Sequence, residues 1–167
     1  MRTRTARLTL SVLAWMALGA AAYVTAHGQQ AIDQRRTALR SFESTARDVI
    51  DSLDDTQAGQ QAYVAAGQDP QVWAAKVAEL LQTARAGLDT LRATALSPAA
   101  GPALLDASTA VTELRNVDRR AHDQVDAGDP QGASLTIFSA AADAVSTATS
   151  NVDLALGAER QAADEIG

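Results

Sequence analysis

The residues best suited to chemistry stand close together in the third quarter of the chain. Arg115, Arg119 and His122 are spaced four and three residues apart, so a helix would place them on one face. Such a face can bind a carboxylate or a phosphate through charge-assisted hydrogen bonds. The alternative is a solvated face on which these cations pair with acids, as exposed side chains commonly do. The acids within reach are Glu113, Asp118 and Asp123.

Asp118 is also notable because it interrupts an otherwise apolar helical stripe. It stands as far before one Gly-Asp-Pro turn as Gln57 stands before an earlier, similar turn, so the two side chains should lie at one level of the packed helices. The sequence therefore predicts a shared polar layer, because a buried carboxylate needs donors and glutamine amides supply them. This layer is either a ligand pocket or packing switch, or a satisfied polar set that fixes helix register. Its predicted members are Thr56, Gln57, Gln60 and Asp118.

Several kinds of chemistry have no residues to perform them. The chain has no cysteine, which removes disulfides, thiolate metal sites and cysteine nucleophiles. A di-iron bundle needs Glu-x-x-His pairs, whereas Arg119 stands three residues before His122. There is no glycine-rich phosphate loop and no serine elbow. We therefore predict no enzyme activity, metal or cofactor, and the net charge of −6 argues against nucleic acid as a partner.

The composition indicates the elements that position these residues. Apolar residues make up 47% of the chain but aromatic residues only 4%, so alanine supplies much of the apolar content and favours long helices. Three turns rich in proline and glycine separate four segments of three-four apolar spacing. Short turns favour antiparallel neighbours, so we predict an all-α fold, an up-down-up-down antiparallel four-helix bundle. The predicted helices span about 28–66, 70–96, 102–127 and 130–166.

The fourth predicted helix carries the longest apolar stripe, which Glu159 interrupts. In the Asp-Pro pair that precedes it, Asp129 can cap the helix while Pro130 takes the first position, where no amide donor is needed. Gly128 suits a left-handed ending of the preceding helix. The stripe consists of Leu135, Phe138, Ala142, Val145, Thr149, Val152, Leu156, Ala163 and Ile166.

The amino terminus has the pattern of a membrane signal. Residues 8–26 contain no charge and would extend roughly 28 Å as a helix, close to the thickness of a bilayer core. Arginines 2, 4 and 7 precede this stretch, which predicts that residues 1–7 are cytoplasmic. We thus expect a single-pass protein of the inner membrane, with a transmembrane helix at 8–26, continuous with helix one, and residues 27–167 outside. The alternative is a cleaved secretory signal, since 20–22 and 24–26 resemble small-residue cleavage sites.

Residues 55–67, DTQAGQQAYVAAG, carry a family resemblance. They resemble the signature of the CHASE-three type extracellular sensor domain, approximately D-A-E-T-G-Q-R-G-Y-L-L-T-G, and the chemoreceptor four-helix-bundle ligand domain is similar in architecture. The resemblance implies a signal-input domain for histidine kinases, cyclases or chemoreceptors, without a known ligand. The matching residues are Asp55, Gly59, Gln60, Tyr63 and Gly67.

Two functional hypotheses follow from these patterns. The first is an extracytoplasmic signal-input module of a bacterial membrane receptor that transmits by helix rearrangement, with an unidentified small ligand. Because no output segment is present up to Gly167, either the chain is a fragment or such a module signals through a homodimer or a lateral partner receptor. The second hypothesis is an exported helical scaffold or partner-binding protein with no small ligand.

Overall fold

The structure, a computed structural model, describes residues 33–62 and 70–165. Within these ranges the chain is helical between its turns and contains no strand, which confirms the predicted all-α class. Residues 39–166 form one compact unit, and residues up to 38 belong to another, whose described part, 33–38, is exposed helix. The helices are α1 at 33–62, α2 at Pro70–Thr94, α3 at Ala100–Asp126, α4 at Pro130–Thr136 and α5 at Ala142–Asp164.

The core of the 39–166 unit is one apolar cluster to which α1, α2, α3 and α5 all contribute. Alanines alternate with larger residues along it, so the helices pack closely around a thin core. A smaller cluster lies around Ala121, Ala133 and Ile137, with Trp73 and Val125 against it. The largest fully buried side chains of the main cluster are Leu53, Leu88, Leu91, Leu104 and Leu114.

Two glycines allow α1 and α2 to approach each other closely. A Cβ placed on Gly59 would lie 2.9 Å from Cγ2 of Val77, and one on Gly87 would overlap Cγ2 of Val49. Neither glycine has a positive φ, so these positions need space for a neighbour and not an unusual backbone conformation. The absence of a side chain therefore sets the distance between these helices.

Gly87→Ala should destabilise the protein by about 1–3 kcal/mol, because the added methyl overlaps Val49 in a packed core. In a Val49→Ala background the same change should cost almost nothing. Gly157→Ala is the control, since a Cβ there meets no atom within 4 Å and should leave stability unchanged or raised by up to about 1 kcal/mol. Chemical denaturation of the four variants measures these effects. An equal cost of Gly87→Ala in both backgrounds would refute the close-packing explanation.

Glu159 has a structural role that the sequence does not reveal. This carboxylate on α5 is only 6% exposed. Its Oε1 accepts hydrogen bonds from the backbone N–H groups of Leu96, at 2.8 Å, and Ser97, at 2.7 Å. The adjacent Arg160 donates from Nε to Oε1 of Glu43 on α1, at 2.7 Å. The end of α5 is thus joined both to the turn between α2 and α3 and to α1.

Glu159→Leu should lower the free energy of unfolding by about 2–3 kcal/mol, since it leaves two backbone donors without their acceptor. Glu159→Gln retains an acceptor oxygen and should cost only about 1 kcal/mol. Asp153→Leu, at an exposed position on the same helix, should change stability by no more than about 0.5 kcal/mol. Urea titrations would compare the three variants. Equal losses for Glu159→Leu and Asp153→Leu would show that the two bonds contribute nothing.

The turn before α4 follows the pattern expected from Gly-Asp-Pro. Gly128 has φ +79°, and the Asp129 carboxylate accepts a hydrogen bond from the Gly132 N–H at 2.9 Å. Pro130 is in the first turn of α4. These three residues therefore end α3 and begin α4 through their own backbone and side-chain chemistry. The corresponding earlier turn, at 67–69, lies outside the described residues.

The predicted core stripe is wrong at the start of the fourth segment. Leu135 and Phe138 are 70% and 59% exposed, whereas Ala133, Ile137 and Ala141 are buried. The cause is a π-helical turn at Ile137–Ala141 between α4 and α5. In an α-helix a step of four residues goes slightly beyond one full turn, so residues 133, 137 and 141 would move progressively around the axis. The π turn contains more residues per turn and offsets this movement, so that the three positions stay on the buried face. Beyond this turn the predicted positions Val145, Val152 and Leu156 are buried.

The predicted membrane location is also corrected. No helix within 33–62 or 70–165 is both long and apolar enough to cross a bilayer, which contradicts the prediction of a single-pass inner-membrane protein. Residues 1–7 and the uncharged stretch at 8–26, on which that prediction was based, lie outside the described residues.

Candidate functional site

A hydrogen bond between α1 and α3 defines the centre of the site. Nε2 of Gln60 donates to Oδ1 of Asp118 at 2.9 Å. Gln60 is fully buried and Asp118 is partly buried. The two residues are 58 positions apart in the chain, so this bond joins separate helices. It brings together two of the four residues predicted to share a polar layer.

The other two predicted members of the layer form no side-chain hydrogen bond with Asp118 within the described residues. Thr56 is fully buried, but its hydroxyl donates to the backbone oxygen of Ser52 within α1, at 2.7 Å. Gln57 is partly buried and makes no side-chain hydrogen bond to any residue in the described ranges. The layer is therefore a single pair of side chains with a self-satisfied threonine one turn away.

Burial raises the pKa of Asp118 above the 3.8 of an exposed aspartate. The hydrogen bond from Gln60 and the charge of nearby His122 both act to lower that pKa, but less strongly. Oε1 of Gln60 is buried and finds no donor among residues 33–62 and 70–165. A protonated Asp118 carboxyl is neutral and carries an O–H that can donate to such an acceptor. Burial of the carboxyl and the unpaired acceptor on Gln60 therefore both favour the protonated form of Asp118 in the folded protein.

An open cleft between α2 and α3 reaches Asp118 from the protein surface. It has a volume of about 440 Å³, within the range of small-molecule sites. Arg85 from α2 and Arg115 and Arg119 from α3 line it together with the carboxylate. Its remaining lining is mainly apolar or small, formed by Ala78, Leu81, Gln82, Val111 and Thr112.

The structure divides the predicted anion-binding residues. Arg115 and Arg119 line the cleft, but His122 does not, and its Nε2 lies 3.7 Å from Oδ2 of Asp126. Arg119 donates to Oδ1 of Asn116 at 3.0 Å. Arg115 is exposed and forms no ion pair within the described part of the chain.

Sequence reasoning missed Arg85. This residue flanks the apolar stripe of α2 and belongs to no motif. Counting back from the turn before α3 would have placed it about level with Val111, one helical turn from Arg115. Such a count is valid only if the turn between α2 and α3 is tight. The hydrogen bonds that the Leu96 and Ser97 N–H groups donate to Glu159 make it so.

The described residues contain no group of three or more acids or histidines arranged to hold a metal ion. Glu113 stands between Thr112 and Arg115 in the sequence but does not line the cleft, and it accepts a hydrogen bond from Arg120 at 3.1 Å. The cleft therefore offers guanidinium and amide donors and one carboxyl group. Such a set can bind a polar molecule through charge-assisted hydrogen bonds.

No family model, curated protein or solved structure matches the chain. The resemblance to the CHASE-three type sensor domain therefore stays a prediction. Gly59 and Gln60, two of the residues on which it is based, have structural explanations here. Gly59 gives room to Val77, and Gln60 binds Asp118.

Asp118→Asn should raise the free energy of unfolding at neutral pH by about 1 kcal/mol, because an amide can donate to Oε1 of Gln60. The difference between wild type and this variant should depend on pH. Since the folded pKa is raised, the carboxyl favours folding below pH 3.8, and this contribution is lost as the pH rises through the folded pKa. Wild-type stability relative to the variant should therefore fall with rising pH. Denaturant titrations from acidic to neutral pH test this, and a difference independent of pH would contradict it.

Proposed function

We propose that this chain is a signal-input module, built as an up-down-up-down antiparallel four-helix bundle, that transmits by helix rearrangement. It is of the kind that supplies input to histidine kinases, cyclases or chemoreceptors. Its input site is the cleft between α2 and α3. The observation that carries this proposal is the Gln60–Asp118 hydrogen bond, which connects the cleft to α1.

The helix contacts support the antiparallel arrangement. Gly59, late in α1, faces Val77, early in α2, whereas Gly87, late in α2, faces Val49. This order supports two helices that run in opposite directions. The turn between α3 and α4 is closed by a bond from Thr136 to Gln124, at 2.9 Å. Arg160 at the end of α5 returns to Glu43 of α1.

The Gln60–Asp118 pair supports a switch because its two states, with Asp118 charged or neutral, differ by one proton or by one contact to the carboxyl. With Asp118 charged, the carboxylate holds Gln60 but leaves Oε1 of that amide without a donor. A ligand that alters the charge or position of Asp118 changes this bond. When the bond between Gln60 and Asp118 becomes stronger or weaker, the preferred position of α1 relative to α3 changes, and packed helices respond to such changes by small shifts.

The alternative, a helical scaffold or partner-binding protein, also has an observation in its favour. Leu135 and Phe138 are largely exposed on neighbouring turns, which is the kind of apolar surface that binds another protein. A scaffold would use the Gln60–Asp118 pair only to fix helix register. The two functions therefore differ in whether α1 moves when Asp118 changes.

Spin-label distances measure that movement. The chain has no cysteine, so labels attach only where cysteines are introduced. Labels at exposed positions 51 on α1 and 123 on α3 should change separation, on the order of 1–2 Å, when Asp118→Asn neutralises the carboxyl. Labels at 123 and at exposed position 153 on α5 provide the control. That pair should remain fixed, because Gln60 on α1 is the residue bonded to Asp118.

Identical distance distributions for both label pairs, with and without the substitution, would refute transmission and favour the scaffold. Equal movement in both pairs would also refute it, since the change would then be a general loosening and not a shift of α1. Lowering the pH of the wild-type protein should reproduce the direction of the change, because it protonates the same carboxyl.

A further inference from the structure

We propose that the cleft between α2 and α3 binds a small oxyanion, a molecule with a carboxylate, phosphate or sulfate group, through Arg85, Arg115 and Arg119. This names the ligand class of the input site and rests on the proposed function only for its role in signalling. The binding site itself stands on the geometry of the cleft.

Four of the lysine and arginine side chains in the described residues lie in ion pairs, and the seven that do not include all three arginines of the cleft. Arg47 and Arg160 both lie near Glu43, Lys76 lies near Glu79, and Arg120 lies near Glu113. In contrast, Arg85 and Arg115 form no ion pair with any residue of 33–62 or 70–165. Two unpaired cations on facing helices, with Arg119 beside them, leave the cleft with an excess of positive charge.

The shape of the cleft favours a bound ion over a diffuse cloud of counterions. Its floor includes the buried residues Leu81 and Val111, so part of a ligand is removed from water. Charge-assisted hydrogen bonds are stronger in such surroundings than on an open surface. Guanidinium groups bind carboxylate and phosphate through paired donors, which suits a planar or tetrahedral oxyanion. Gln82 adds an amide to the same lining.

Asp118 makes the cleft responsive to charge. Three arginines and one carboxylate give the cleft a net charge of about +2. An anion that enters is attracted by the arginines and repelled by the Asp118 carboxylate. Binding therefore favours the protonated form of Asp118, the form that can also donate to Gln60. Besides the three arginines, His122 lies near this carboxyl, and Gln60 is the partner of Asp118 on α1. Neutralising Asp118 should accordingly tighten the binding of an anion.

Sodium sulfate and sodium succinate are suitable probes, titrated into the full chain by calorimetry with sodium chloride adjusted to constant ionic strength. We expect saturable binding of one or both probes at one site. Binding of only sulfate would indicate a tetrahedral oxyanion, and binding of only succinate a carboxylate. Removing a charge-assisted hydrogen bond weakens binding about tenfold, so Arg85→Gln with Arg115→Gln should weaken it by at least that factor.

The matched control is Arg40→Gln with Arg92→Gln, which removes the same charge from exposed positions outside the cleft. This control should keep the wild-type affinity, and Asp118→Asn should bind about tenfold more tightly. No saturable binding, or equal weakening in both double variants, would overturn the inference. If the probes fail while the spin-label distances still respond to Asp118→Asn, the ligand class is wrong and the signalling proposal stands. If the probes bind but those distances do not change, the site stands and the signalling proposal falls.

Discussion

The arrangement of this protein depends on one constraint, that the carboxyl of Asp118 must be satisfied between packed helices. Burial of a charge is costly, and the residue that compensates it is Gln60 on another helix. The compensation is incomplete, because one amide oxygen of Gln60 remains without a donor in the described part of the chain. Well-packed apolar residues would give more stability at this level. The Gln60–Asp118 pair is therefore better suited to respond to a change in charge than to stabilise the fold.

The remainder of the structure holds this pair at a fixed height. Gly59 and Gly87 allow α1 to lie close against α2, and Gly59 directly precedes Gln60. At the opposite end of α2, Glu159 fixes the turn that leads into α3. Because α2 is held at both ends, Arg85 and Arg115 face the same cleft. The Gln60–Asp118 pair near one end of the cleft and the turn bound by Glu159 at the other end of α2 thus determine the site together.

The sequence predicted the all-α class, because turn chemistry and apolar spacing are local signals. Its turn spacing placed Asp118 level with Gln57, about one helical turn from the Gln60 to which Asp118 is bonded. It failed where nonlocal bonds decide the outcome. Leu135 and Phe138 fit an ideal α-helical stripe, but a π turn rotates them outward. Glu159 read as an interruption, since the backbone donors it binds belong to a distant turn. Arg85 carried no signal because its neighbours in the cleft come from another helix.

We propose that Gln60 transmits the state of the cleft to α1. The most direct measurement is the distance between labels at 51 and 123 with and without saturating sulfate or succinate, in the wild-type background and in Gln60→Leu. We expect the distance to change by on the order of 1–2 Å in the wild-type background and not at all in Gln60→Leu, although the anion binds in both. An equal change in both backgrounds would contradict it, because the signal would then reach α1 without this hydrogen bond.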